Sequence, residues 1–298
     1  MKHKKTIFLL SIILASCNFS QEITFDNLIE KGAELEKLSG EFQFTEGPAA
    51  DKNGNVYFTD QPNDRIMVWK TTGVLETFMQ PSGRSNGMIF DKNGNLWTCA
   101  DEQNEIWMIG MDKSITKFPF MYDGKPLNGP NDLWVAPNGG IYFTDPFYRR
   151  TWWEHSEPPQ ELQGLFYVAP DMKTVIRIDS DLRQPNGIVG SPDGKTLYVA
   201  DIGDRKTYKY SINQDGSIEN KTLFCEMGSD GMTIDSKGNI YLTGRGVTVF
   251  DKNGNELGNI PVPENWTANV CFGDKDLKSL YITASQGLYK IRLSIKGT

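Results

Sequence analysis

An all-β ring of six similar units, a six-bladed β-propeller, is the fold this sequence predicts, on three observations. Six short apolar–aromatic segments recur along the chain, each led in by a turn. Their spacing is 40, 45, 56, 43 and 40 residues, the length of a four-stranded propeller blade. Ten or eleven residues before each segment stands an Asn, Asp or Glu.

The recurring segments are Val56-Tyr57-Phe58-Thr59, Leu96-Trp97-Thr98-Cys99, Ile141-Tyr142-Phe143-Thr144, Leu197-Tyr198-Val199-Ala200, Ile240-Tyr241-Leu242-Thr243 and Leu280-Tyr281-Ile282-Thr283. Five follow glycine turns such as Asp51-Lys52-Asn53-Gly54-Asn55 and Asp91-Lys92-Asn93-Gly94-Asn95. Asn-Gly and Asp-Gly tolerate positive φ and favour tight hairpins. The sixth turn, Asp274 to Ser279, lacks glycine and is expected to be looser. These turns are not EF-hand loops, which need about 12 residues, a terminal Glu and flanking helices. The first blade reads as Gly47 to Ala50, Val56 to Thr59, Ile66 to Trp69 and Leu75 to Phe78. The last has only three strands of its own after Ala268, and a strand around Glu34 to Leu38 is expected to supply the fourth. Such a closure leaves no open edge at the seam. No sustained helical period appears, so the mature chain reads as four-stranded antiparallel blades throughout.

The chain has 298 residues, 11% aromatics and a net charge of −7. That balance argues against nucleic acid as a partner, because phosphate recognition wants a basic face. Residues 1–17 read as a targeting segment: Lys2, Lys4 and Lys5, then the apolar run Ile7 to Leu14, then Leu14-Ala15-Ser16-Cys17. The run is too short to span a membrane as a mature helix. Its end resembles the bacterial lipoprotein signal, which implies lipidation of Cys17, a cell-envelope location and membrane attachment through that lipid alone. Residues 18–33 are then a tether and 34–298 the propeller. Cys99, Cys225 and Cys271 remain; buried free thiols are expected, with one disulfide left open. Once the signal is removed, His155 is the one histidine. A zinc site built on two or three histidines is therefore excluded, and no Gly-x-Ser-x-Gly elbow, phosphate loop or dinucleotide fingerprint is present.

The residues before the recurring segments are Glu46, Asn86, Asn131, Asn186, Asp230 and Asn269. Equal distances mean equal places in the blade, and innermost strands line a propeller's channel. These six are expected to meet at one end of it. Two carboxylates with several amide oxygens suit one divalent cation, Ca2+ first, which takes 6–8 oxygens. Mg2+, Mn2+ and Zn2+ stay open as alternatives.

At these residues the chain resembles the gluconolactonase and regucalcin family, also called the senescence-marker-protein family. The resemblance runs from about Glu41 to Leu293. It is carried by Thr45 to Ala49 (TEGPA), Leu127 to Leu133 (LNGPNDL), Thr144 to Pro146 (TDP), Gln184 to Ile188 (QPNGI), Ser229 to Met232 (SDGM) and Asn269 to Gly273 (NVCFG). It implies one axial divalent ion, with Glu46, Asn131, Asn186 and Asp230 as metal ligands. Arg84 and Asn86 resemble substrate-contacting positions, and Asn128 and His155 join the expected substrate set. It also implies hydrolysis of a sugar lactone. A bound cation polarises the carbonyl, and Asp230 is the expected catalytic proton acceptor. A related propeller hydrolase of aryl esters or phosphotriesters, and a tethered binding propeller without activity, are the alternatives. The expected partner is a small lactone, with the chain a monomer or weak oligomer. The longest insertion, Pro146 to Ser156, carries Trp152, Trp153 and His155. It is expected either to roof the pocket or to pack on the outer blade.

Overall fold

The computed structural model describes residues 24–298. Six four-stranded antiparallel sheets follow one another along the chain. The first is Thr45–Ala50, Val56–Asp60, Arg65–Trp69 and Leu75–Met79, within two residues of the expected bounds. The last holds Thr267–Gly273, Ser279–Ala284 and Gly287–Arg292, and its outer strand is Glu36–Ser39 from the other end of the chain. Glu36 pairs Lys290 and Lys37 pairs Tyr289, antiparallel. This is the expected ring closure, shifted slightly toward the C-terminal side.

The apolar–aromatic segments are the second strands of the blades. They are buried on both faces, because each blade is covered by a neighbour on either side. One hydrophobic cluster fills each gap between blades. Tyr57, Ile66 and Phe78 of the first blade meet Met88, Leu96 and Trp107 of the second. Tyr57 sets its ring edge-on to both Phe78 and Phe90, at 5.0 and 5.1 Å. Strands lying further out are progressively exposed, as in Ile218–Cys225. Cys99, Cys225 and Cys271 are buried and free.

In the glycine turns the aspartate does the fastening. Asp51 Oδ1 accepts the backbone N–H groups of Asn53 and Asn55, and Gly54 carries φ of +84°. The same arrangement recurs at Asp91 and Asp251. The sixth turn instead places Asp274 and Leu277 at positive φ, a costlier conformation for residues with a Cβ.

Two short helical turns depart from the all-strand expectation. Phe25–Leu28 is a helix and Gln61–Asn63 a 3-10 turn. Leu28 is buried in the cluster between the fifth and sixth blades, and Ile29 bridges Leu293. From Thr24 onward, therefore, the expected tether is docked on the ring rather than free of it. The signal segment, Cys17 and the tether's first residues lie outside the described residues.

Candidate functional site

Each innermost strand begins on the face of the ring where each second strand ends. Loops entering inner strands and loops leaving second strands therefore share one mouth of the channel. A cavity of about 250 Å³ opens there, lined by Phe44, Glu46, Gln61, Asn86, Asn131, Tyr148, Arg150, Asn186, Ile202, Asp230 and Trp266. Five of the six register-matched residues thus share one space. The sixth, Asn269, sits deeper: its amide lies between Glu46 and Asp132, on the side of a larger cavity at the opposite mouth.

Tight packing at the axis explains the glycine that follows several of these residues. A Cβ on Gly47 would stand 2.1 Å from Asn86 O of the next blade, and one on Gly187 would stand 2.6 Å from Asp230 O. Only glycine lets adjacent inner strands approach so closely. Strand pairing is also irregular beside the axial residues, with register shifts between Glu46 and Ala49, Ser85 and Met88, and Pro185 and Ile188. Such bulges turn a side chain out of the regular alternation, here into the channel.

Threonines of the second strands fasten the axial backbone. Thr144 Oγ1 donates to Asn186 O of the next blade at 2.7 Å, Thr243 Oγ1 to Ala268 O at 2.8 Å and Thr59 Oγ1 to Asn86 O at 3.4 Å. The threonine in the recurring YFT and YLT segments is thus a blade-to-blade tie, a role that periodicity alone did not reveal.

Glu46 is buried, and its Oε2 accepts Gly47 N at 2.8 Å. Burial, reinforced by the nearby negative charge of Asp230, pushes its carboxyl well above the usual range. Asp230 is partly buried. Desolvation raises it to about 6, opposed by hydrogen bonds from Trp266 and Asn186 and by the charge of Arg150. The indole Nε1 of Trp266 donates to Asp230 Oδ2. Asn186 Nδ2 donates to the Tyr148 hydroxyl at 2.8 Å. That contact directs Asn186 Oδ1 away from Tyr148, and Oδ1 of both Asn186 and Asn86 is buried with no hydrogen-bond partner among the described residues.

Two carboxylates forced together and two orphaned amide oxygens form an oxygen-rich set, with Arg150 the one cationic side chain in the lining. This is the donor chemistry of a hard divalent cation. Among the described residues, no three His, Cys, Asp or Glu side chains group together, so any ion here takes amide oxygens alongside Glu46 and Asp230.

The remaining expected residues lie outside the cavity lining. Arg84 Nη1 donates to Pro62 O at 2.9 Å, and its guanidinium lies 4.6 Å over Trp152. Asn128 is fully buried and committed to structure: its backbone N–H and Nδ2 bond Asp145 and its Oδ1 accepts Gln160 N. His155 stacks on Trp153 at 4.9 Å, beside Phe147. The insertion docks on the cavity mouth, with Trp153 Nε1 donating to Asp101 O at 2.7 Å. Its contributions to the lining are Tyr148 and Arg150 rather than the tryptophans. Sequence reasoning missed Gln61, Arg150 and Trp266, because the residue type at each of these places is not repeated from blade to blade.

Residues 44–286 match the SMP-30/gluconolactonase/LRE-like family. The chain is 29% identical to a gluconolactonase of Zymomonas mobilis, over 91% of this chain and 85% of that one. It is 34% identical to a lactonase of Staphylococcus aureus, over 82% of this chain and 75% of that one. The solved structure of a gluconolactonase from Xanthomonas campestris superposes with a TM-score of 0.83 at 28% identity, covering 90% of this chain and 92% of the other.

Proposed function

Since the chain belongs to the SMP-30/gluconolactonase/LRE-like family and is by that kinship a lactonase, we propose that it hydrolyses a sugar lactone in the axial cavity with the help of one divalent cation. The observation that carries this reading is the buried pairing of Glu46 with Asp230 beside the unpartnered Oδ1 atoms of Asn86 and Asn186.

Glu46, Asn131, Asn186 and Asp230 would hold the ion. Ca2+ suits this all-oxygen set with two carboxylates, which balance its charge. When bound, it supplies Lewis acidity toward the lactone carbonyl.

The protein's own groups do the rest. Trp266 fixes one oxygen of Asp230; Asp230 cannot be full ligand and base in one pose, so the attacking water would be shared between its other oxygen and the ion. Asp230 takes a proton from the water that attacks the carbonyl carbon. The ring C–O bond then breaks, and the proton passes to the departing ring oxygen, giving the open hydroxy acid. A carboxylate beside the attacking water can accept that proton and return it. Tyr148, by receiving Asn186 Nδ2, keeps the Asn186 carbonyl oxygen presented to the cavity.

The test is a panel of aldonolactones, aryl esters and a phosphotriester, assayed with wild type and Asp230→Asn. The expected result is hydrolysis of aldonolactones that falls at least a hundredfold in the variant while the fold is retained. Turnover confined to aryl esters or the phosphotriester would move the assignment to those substrates. Full activity of Asp230→Asn would remove its role as base.

A further inference from the structure

Resting on the lactonase reading, we propose that Arg150, held by Asp101, is the residue that reads the ring hydroxyls of a neutral, polyhydroxylated lactone. Arg150 is the one cationic side chain among those lining the axial cavity. Its Nε donates to Asp101 Oδ2 at 2.9 Å, and its guanidinium lies 5.5 Å from the ring centres of both Tyr148 and Trp152. These contacts fix the plane of the group. Its Nη1 and Nη2 make no hydrogen bond to any described residue, and the side chain is 21% exposed. A fixed, forked set of N–H donors at a cavity wall is suited to neighbouring hydroxyl oxygens.

In the internal repeat Asp101 stands one place past the position that caps the neighbouring loop. In three blades an aspartate at the end of the second strand caps the loop entering the inner strand. Asp60 accepts the N–H groups of Gln43 and Phe44, Asp145 those of Asn128 and Gly129, and Asp201 those of Arg183 and Gln184. In the second blade that position is Ala100, paired with Ser85. The cap there is supplied by Asp64, whose Oδ1 accepts Ser82 N at 2.9 Å and Arg84 N at 2.7 Å. Asp101, one residue further on and buried, is thereby released from capping. Its Oδ2 instead receives Arg150 and, at 3.3 Å, Gln61 Nε2, itself a cavity-lining group.

The pairing also decides what kind of substrate is read. Asp101 neutralises Arg150, and the carboxylates of Glu46 and Asp230 balance a divalent ion, so the cavity carries no surplus positive charge for an anionic substituent. A neutral ligand rich in hydroxyls fits this balance.

Binding without turnover separates this inference from the lactonase reading. D-gluconolactam and δ-valerolactam, neutral analogues with and without hydroxyls, are titrated calorimetrically into wild type, Arg150→Ala and Arg150→Lys, with circular dichroism confirming the fold of each. Hydrogen bonds from a charged donor contribute about 1.5–3 kcal/mol. Arg150→Ala is therefore expected to weaken D-gluconolactam at least about tenfold. δ-Valerolactam should stay within about twofold, Arg150→Lys should recover only part of the loss, and added guanidinium ion should restore binding to the Ala variant. Equal weakening of both lactams would show that Arg150 merely docks its loop, and would overturn the proposal. A larger loss for an anionic lactone, D-glucarolactone, than for D-gluconolactone in parallel kinetics would overturn the neutral substrate class. If wild type binds D-gluconolactam yet opens no lactone, the proposed function fails while this inference stands.

Discussion

At the cavity, three polar side chains are each held by a partner that leaves other atoms of theirs free. Trp266 takes one oxygen of Asp230, Tyr148 takes the amide nitrogen of Asn186, and Asp101 takes Nε of Arg150. Asp101 offers a stability test. Burial raises its carboxyl to about 6, against the pull of Arg150. With a folded pKa above the unfolded one, the fold binds this proton more tightly than the unfolded chain does. The contribution is therefore complete below about pH 4 and is lost as pH rises through about 6. Asp101→Asn removes that dependence. Denaturation of the two proteins at pH 4 and pH 7 should show wild type losing stability relative to the variant by an amount on the order of 3 kcal/mol. A difference independent of pH would mean that Asp101 has an ordinary pKa. The axial residues were legible in the sequence because each repeats at a fixed distance from a recurring strand. Arg150, Gln61 and Trp266 were not, since a residue that occurs once in a loop carries no periodic signal. Arg84, expected from the family resemblance to contact substrate, has a positive φ of 51°, donates to Pro62 O and lies over Trp152.

Among the elements, the second strands carry most of the information. Their apolar–aromatic pattern reports burial on both faces, and the threonines of three of them, Thr59, Thr144 and Thr243, tie a blade to the axial backbone of the next. Thr144 is fully buried, and its hydroxyl bonds Asn186 O. Thr144→Val keeps the shape but leaves that carbonyl without its partner, so a loss of about 1–3 kcal/mol is expected in urea denaturation. An unchanged midpoint would show that the tie contributes nothing. The glycine turns were readable from the chain because Asp–Gly spacing sets local hydrogen bonds. The bulges beside Glu46, Asn86 and Asn186 were not, because they arise from crowding between neighbouring inner strands rather than from any residue's own preference. The docked helix Phe25–Leu28 escaped notice for a related reason: four residues are too few to show a period, and the helix is held by burial of Leu28 in the gap between two blades.

For the whole molecule, closure joins chain ends some 250 residues apart, Glu36–Ser39 against Gly287–Arg292. Truncation through Ser39 removes these strand hydrogen bonds, each contributing about 1 kcal/mol, together with the burial of Leu28, about 2 kcal/mol. It also bares an edge prone to pairing with other chains. A melting temperature lower by ten degrees or more, with concentration-dependent aggregation, is the expected outcome, and an unaltered melting curve would mean that the seam closes without the strand. We also propose that Cys17 anchors the ring to the cell envelope. Cys17→Ala should move the protein from the membrane fraction to the soluble fraction and abolish labelling by a fatty-acid probe, whereas labelling that persists would refute the anchor.

The convergence of Glu46, Asn131, Asn186 and Asp230 on one cation is the claim on which the chemistry rests. Its most direct test is elemental analysis of the purified protein and of Glu46→Gln, paired with lactone hydrolysis before and after exhaustive chelation. One divalent ion per chain in wild type, little or none in the variant, and turnover that disappears on chelation and returns with Ca2+ is the predicted result. Undiminished lactone hydrolysis by wild-type protein shown to be metal-free would contradict it.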